Sequence, residues 1–131
     1  MTDVVDKPRK LEGTVGGSTY IKPSQIDWKP TRFDKISIKV LYEDRDKGEM
    51  TCLLKLEPGA YVPFHKHPEI EQSFVLEGSI EDHDGVAVAG DYIWRKPGSL
   101  HDNRSPGGAV VFAVYRKPNL YYHSGRETAG F

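Results

Sequence analysis

The sequence predicts an all-β single domain, a sandwich or a closed barrel. Three observations predict it. Short runs of alternating apolar and polar residues follow one another, each broken by turn chemistry. Thirteen glycines and nine prolines in 131 residues supply those turns. No stretch of about 11 residues or more keeps the spacing of an amphipathic helix. Eight or more short strands in one domain close into a sandwich or a barrel.

The chain's 131 residues fit one domain, since domains run to roughly 100–200 residues. A chain of this size buries roughly two-thirds of its surface, enough for a core without disulfide staples. The first seventeen residues are polar and end in Gly16-Gly17. They are expected to form a flexible arm, 1–17, ahead of a single domain at 18–131. Ile36, Ile38, Val40 and Tyr42 alternate with Ser37, Lys39 and Leu41, the period of a half-buried strand. Met50, Cys52, Leu54 and Leu56 share one face of the next run, and Glu57-Pro58-Gly59 then turns the chain. Further strands are expected near Ser73–Leu76, Ser79–Asp82, Val86–Ala89, Tyr92–Trp94 and Ala109–Arg116. Asp84-Gly85 signals a hairpin turn of the type with positive φ at both central residues.

Charge and composition exclude several function classes. Eighteen basic and nineteen acidic side chains give a net charge of −1, so no basic excess marks a nucleic-acid or anionic-membrane binder. No apolar run approaches the ~20 residues of a membrane-spanning helix. The amino-terminal MTDVVDKPRK has no apolar segment of the signal-peptide kind. The lone cysteine, Cys52, forms no internal disulfide and reads as a buried small hydrophobe. A cytoplasmic location is the expectation.

The histidines carry the chemistry. His65 and His67 stand two apart on an extended segment, so both imidazoles face the same way. Glu71 follows four residues later, on the same parity if the chain resumes as a strand. Glu69 shares that parity, but Pro68 before it suggests a turn aiming it outward. His101 follows Pro97-Gly98 at a later strand end. Three imidazoles and a carboxylate converging inside a barrel make a nitrogen–oxygen site for Fe, Mn, Ni, Cu or Zn. Ligating imidazoles must be neutral, so such a site is expected to lose its metal as pH falls through about 6. Taken alone, His65 and His67 are better read as exposed loop residues after Pro63. His83, in a hairpin tip beside Asp82 and Asp84, reads as solvated, and His123 belongs to the polar tail.

The spacing bears on that choice. Gly59-x5-His65-x-His67-x3-Glu71-x6-Gly78 resembles the first motif of the cupin superfamily at every fixed position. Gly90-x7-Gly98-x2-His101 resembles the second, with Lys96 where proline is usual and Ser105 where asparagine is common. The resemblance covers roughly Ile36 to Arg116. Flanking runs (LYED, LLKLEPGA, FHKHPEIEQSFVLEGSIEDHDG and HDNRSPGG) resemble a smaller group: acetylacetone-cleaving enzymes, dihydroxyacetophenone dioxygenases and the cupin half of chromate-resistance-type anti-sigma factors. The resemblance implies a conical jelly-roll β-barrel holding one metal through His65, His67 and His101. It selects Glu71 over Glu69 as fourth ligand or, if not a ligand, as catalytic base. The metal it implies is Fe2+, with Zn2+, Ni2+, Mn2+ and Cu2+ as alternatives.

The function so implied is an iron(II) dioxygenase cleaving a carbon–carbon bond of a small diketone or hydroxy-ketone. Two other readings stand beside it: a non-catalytic metal-dependent sensor, and a metal-assisted isomerase or lyase of a sugar-like substrate. Candidate cavity residues are Tyr42, Phe64, Phe74, Tyr92, Trp94, Arg104 and Phe112, although period-two patterning does not say which set faces in. Arg95 and Lys96 are read as a rim pair. The expected partners are a small-molecule substrate and a second copy of the chain.

Overall fold

The computed structural model describes residues 13–123 and 126–130. Among them, β1 (Gly13–Val15) and β2 (Ser18–Tyr20) form a small separate hairpin, and a single 3-10 turn spans Pro23–Gln25. The rest of the expected arm, residues 1–12, lies outside the described residues. The main sheet comprises β3 (Lys29–Pro30), β4 (Ile36–Asp44), β5 (Glu49–Leu56), β6 (Ala60–Lys66), β7 (Glu71–Asp82) and β8 (Gly85–Val88). It continues with β9 (Tyr92–Arg95), β10 (Leu100–Ser105), β11 (Ala109–Tyr115), β12 (Asn119–His123) and β13 (Arg126–Gly130).

All pairings are antiparallel, in the order β13-β12-β6-β10-β7-β11-β5-β4-β3, with β8 and β9 also pairing with β7. The sheet curls into a half-barrel of jelly-roll type, as the fold class expected. Its inner face carries the core: Ile36, Leu56, Val75, Ile80 and Val111 form one cluster, and Met50, Cys52, Ala113 and Tyr115 another. Period two accounts for this face. Met50, Cys52 and Leu56 are buried from β5, and Ala109, Val111, Ala113 and Tyr115 from β11.

Strand β7 is the spine. Its first half pairs with β9 and β11, its last residues with β8 and β10. Two separate strands were expected here, near Ser73–Leu76 and Ser79–Asp82. The chain instead runs straight through, because Gly78 (φ +71°) lets the backbone of Gly108 pass against it. A Cβ at Gly78 would lie 2.0 Å from the Gly108 carbonyl oxygen. A bulge shifts the register here, with Val110 opposite Glu77 but Val111 opposite Val75. The bulge reverses the inward parity: Glu71, Ser73 and Val75 are buried before it, Ile80 after it. An extra residue in one strand has this effect on every side chain beyond it.

The hairpin at Asp84-Gly85 is present, joining β7 to β8, but its turn differs from the expected one. Among the described residues Lys35 is the only non-glycine with positive φ. Asp82 closes the turn instead, its Oδ1 accepting the backbone N–H groups of Asp84 (2.8 Å) and Gly85 (3.2 Å). Aspartate side chains mimic a backbone turn in this way. No helix among the described residues is long and apolar enough to cross a membrane.

Candidate metal centre

Two strands and the loops after them bring the histidines together. His65 sits on β6 directly opposite His101 on β10. His67 lies one residue past β6, and its backbone is clamped from the second motif. Gly98 N–H donates to the His67 carbonyl (2.7 Å), and His67 N–H donates to the Ser99 carbonyl (2.9 Å). Gly98 has φ +86°, the left-handed conformation in which side chains are rare. The glycine of the second motif thus fixes the histidine of the first. Ser105, in the place where asparagine is common, is fully buried and donates its hydroxyl to the Ser79 carbonyl (2.6 Å), tying β10 to β7.

The imidazoles meet through Nε2, His65 to His67 at 3.2 Å and His67 to His101 at 3.0 Å. All three residues are buried, at 1–3% exposure. Their outer nitrogens set the tautomers. His65 Nδ1–H donates to the Pro63 carbonyl and His101 Nδ1–H to Asp82 Oδ2, both at 2.7 Å. Both Nε2 atoms are therefore bare, so lone pairs crowd one small volume. A metal about 2.0–2.1 Å from each nitrogen would hold neighbouring nitrogens about 2.9–3.4 Å apart. The observed separations lie within that range, so the three nitrogens are spaced to hold a divalent cation. The residues fit the ion. His67 Nδ1 and Asn119 Oδ1 are buried without a hydrogen bond in this geometry.

Burial depresses the basicity of all three rings. Desolvation lowers His65 to about 4 and His67 to about 3. His101 is also lowered, by desolvation first and then the Arg95 charge, against the pull of Asp82. His65 and His67 are therefore neutral well below pH 6 in the ion-free protein. Burial raises the Cys52 thiol to about 12, with Glu71 adding to the effect, so it stays protonated and is no metal ligand.

Glu71 begins β7 with its side chain inward and 6% of the residue exposed. It stands beside the histidine cluster but is not part of it. Its Oε1 lies 3.3 Å from His67 Nε2 and accepts from Arg95 Nη1 at 3.1 Å. The Tyr115 hydroxyl donates to the same carboxylate; burial and then Glu71 raise that phenol far above its ordinary value. Arg95 also donates to Asp82 Oδ2 (3.2 Å). Burial alone would raise Asp82, but hydrogen bonds from His101 and Asp84 and the Arg95 charge bring it to about 2.

The chamber beside the cluster is lined mainly by aliphatic side chains, with Phe33, Tyr115 and Tyr121, and polar groups from Ser73, Asn103 and Asn119. Its volume, about 50 Å³, is small against the 300–1,000 Å³ of pockets for drug-sized ligands.

None of the seven cavity candidates lines this chamber. Tyr92 and Trp94 are 53% and 60% exposed, on the outer parity of β9, which leaves Arg95 inside. Phe74 and Phe112 share a shallow outer groove with Tyr92. Tyr42 points outward past a bulge at Leu41 and bonds Glu49. Phe64 packs near Tyr122 on the exterior, and Arg104 pairs with Glu81 at the surface. His83 is exposed beside Asp84, and the His123 side chain lies outside the described residues. The structure adds Asp82, Arg95, Tyr115 and Asn119 to the site. Arg95 alone had a readable signal, its parity opposite the Tyr92 and Trp94 aromatics.

A family model described as the ChrR cupin-like domain matches residues 17–119. The chain belongs to the ChrR cupin-like family. Several solved structures share its fold. A candidate acetylacetone dioxygenase from Methylibium petroleiphilum superposes with a TM-score of 0.77 at 20% identity, covering 92% of this chain and 91% of that one. An acetylacetone dioxygenase from Acinetobacter johnsonii gives 0.73 at 20% identity, covering 99% of this chain and 91% of that one. The anti-sigma factor ChrR of Rhodobacter sphaeroides, solved with SigE, gives 0.61 at 21% identity, covering 72% of this chain and 50% of that one. A search of curated protein sequences finds no match. In this cupin the buried cluster of His65, His67 and His101 is capable of chelating a divalent metal ion.

Proposed function

We propose that this cupin is an iron(II)-dependent dioxygenase that cleaves a carbon–carbon bond of a small β-diketone or hydroxy-ketone. The observation that carries the reading is the three neutral imidazoles at the wall of a small apolar chamber beside one carboxylate held by Arg95 and Tyr115. His65, His67 and His101 would hold the metal, which supplies Lewis acidity and the electron transfer that makes O₂ reactive. The two similar structures described as acetylacetone dioxygenases support this reading.

The protein's own part follows from its charges. Glu71 and Asp82 against Arg95 leave one net negative charge at the metal-free site. A divalent ion turns that into one positive charge, which a substrate monoanion such as an enolate neutralises. A diketone must lose its α-proton to become that enolate, and Glu71 Oε1 is a carboxylate oxygen beside the cluster able to accept it. General-base help of this kind is typically worth about 10²–10⁴-fold. Tyr115 and Arg95 hold the carboxylate in place. Aliphatic walls exclude water, which strengthens each of these interactions. In the overall reaction both oxygen atoms enter the products, a carboxylic acid and an α-dicarbonyl from a β-diketone or two carboxylic acids from an α-hydroxy-ketone.

The test is oxygen uptake by the iron(II)-loaded protein over a panel of β-diketones. Uptake matched to substrate loss is expected. No uptake by fully loaded protein would reject the reading in favour of the metal-dependent sensor suggested by the likeness to an anti-sigma factor. A homodimer belongs to the proposal as well. The outward Phe74, Leu76, Tyr92 and Trp94 give the outer face an apolar surface suited to a second copy, and light scattering would show twice the chain mass.

A further inference from the structure

We propose that Arg95 is a positioning residue that holds Glu71 off the metal, so that three histidines alone form the protein's ligand set and Glu71 remains a free base. The inference deepens the metal-site reading and rests on it. The register of the sheet places Arg95 directly opposite Glu71 on β9 and β7, so the pairing is built into the backbone. The oxygen of Glu71 that faces the cluster, Oε1, is the same atom that accepts from Arg95 Nη1 at 3.1 Å. To ligate the metal, that oxygen must share or surrender its guanidinium bond. Charge-assisted hydrogen bonds of this type are the strong ones, and only 14% of the arginine side chain reaches solvent to compete.

Arg95 is itself immobilised from behind. Its Nη2 donates to Asp82 Oδ2, which also accepts from His101 Nδ1. Moving Glu71 onto the metal would leave the guanidinium with Asp82 alone and strip the Tyr115 hydroxyl of its acceptor. Among the residues lining the chamber, Glu71 is the only acid and Arg95 the only lysine or arginine. No second cation can take over the restraint. The arrangement keeps the metal's other positions open for a chelating substrate and keeps an unligated carboxylate beside them.

The experiment uses Co2+ as the probe, read by its visible absorption spectrum and by chelator competition, with no turnover. Glu71→Gln is expected to leave the spectrum as in the wild type, with affinity lowered only through the loss of a nearby unligated charge. Arg95→Met is expected to shift the spectrum and tighten Co2+ binding about tenfold, the size of effect that changes in supporting residues have on metal sites. The double variant Arg95→Met/Glu71→Gln is expected to restore the wild-type spectrum. A changed spectrum in Glu71→Gln alone would overturn the proposal, since the wild-type carboxylate would then be a ligand. An Arg95→Met spectrum identical to the wild type would overturn the role of Arg95. Arg95→Lys, which keeps the cation, covers the case in which the methionine variant does not fold, and its spectrum is expected to stay wild-type. A wild type that binds no Co2+ would remove the metal centre, and the proposal with it. A protein inactive toward diketones would leave it standing.

Discussion

Asp82 is where one substitution should reveal how the fold and the metal centre are joined. One carboxylate oxygen closes the β7–β8 turn by accepting from Asp84 N–H and Gly85 N–H. The other accepts from His101 Nδ1–H and Arg95 Nη2. Asp82→Asn preserves shape but places an amide NH₂ on one side. Facing His101, it opposes two donors and favours the wrong imidazole tautomer, with the proton on Nε2. Flipped, it opposes the two backbone N–H groups of the turn. In the flipped orientation two hydrogen bonds to a charged group are lost. Facing His101, the amide loses the Arg95 bond and keeps the His101 bond only in the tautomer with Nε2 protonated. Each lost bond is worth roughly 1.5–3 kcal/mol. Arg95 keeps its bond to Glu71, so a net loss of about 3 kcal/mol of folding stability is expected. Metal affinity should fall about 10–100-fold, as when other outer partners of ligating histidines are removed. Urea unfolding of the metal-free protein and chelator competition with Zn2+ measure the two effects separately. Wild-type affinity in a folded Asp82→Asn variant would refute the idea that the Asp82 charge supports His101 as a metal ligand.

Two further outcomes follow from the same geometry. Gly78→Ala combines a positive φ with a Cβ 2.0 Å from the Gly108 carbonyl oxygen, so a loss of about 3 kcal/mol or more is expected on urea unfolding; a loss under about 1 kcal/mol would show that the β7–β11 crossing yields easily. Acid should destabilise the metal-free protein early. The unfolded chain takes up protons at histidines with pKa about 6.5, whereas the folded chain resists until about 4 at His65 and about 3 at His67. The unfolded state therefore binds more protons in that window, and stability falls as pH drops from about 6.5 toward 4, by on the order of 3 kcal/mol per histidine. Unfolding free energies at intervals between those pH values check this, and a flat profile would contradict the burial of neutral imidazoles.

Much of the centre was legible in the sequence because its informative spacings are local. His65 and His67 share a face by strand period alone, and the offsets to Glu71, Gly78 and His101 matched a known pattern. What stayed hidden depended on events between strands. The bulge opposite Val110 and Val111 turns Asp82 inward, and the one at Leu41 turns Tyr42 outward. Neither leaves a mark on alternation that a reader could count. The aromatics of β7, β9 and β11 misled because a sheet with one buried face can still carry apolar residues on the other. Tyr92 and Trp94 went out, so Arg95 went in. Strand β10 did not look like a strand because its inward residues, His101, Asn103 and Ser105, are polar. The supporting role of Tyr115 depends on a contact between distant strands, which no single run contains.

The central claim is that His65, His67 and His101 hold one divalent ion. Metal analysis of protein purified without a metal-affinity tag tests it most directly, comparing the wild type with His65→Ala and His101→Ala after dialysis against a weak chelator. The account predicts about one equivalent of a divalent transition metal per wild-type chain and loss of nearly all of it in each folded variant. Near-stoichiometric metal in either variant, or a wild type that retains none even when reloaded with Fe2+ or Zn2+, would contradict it.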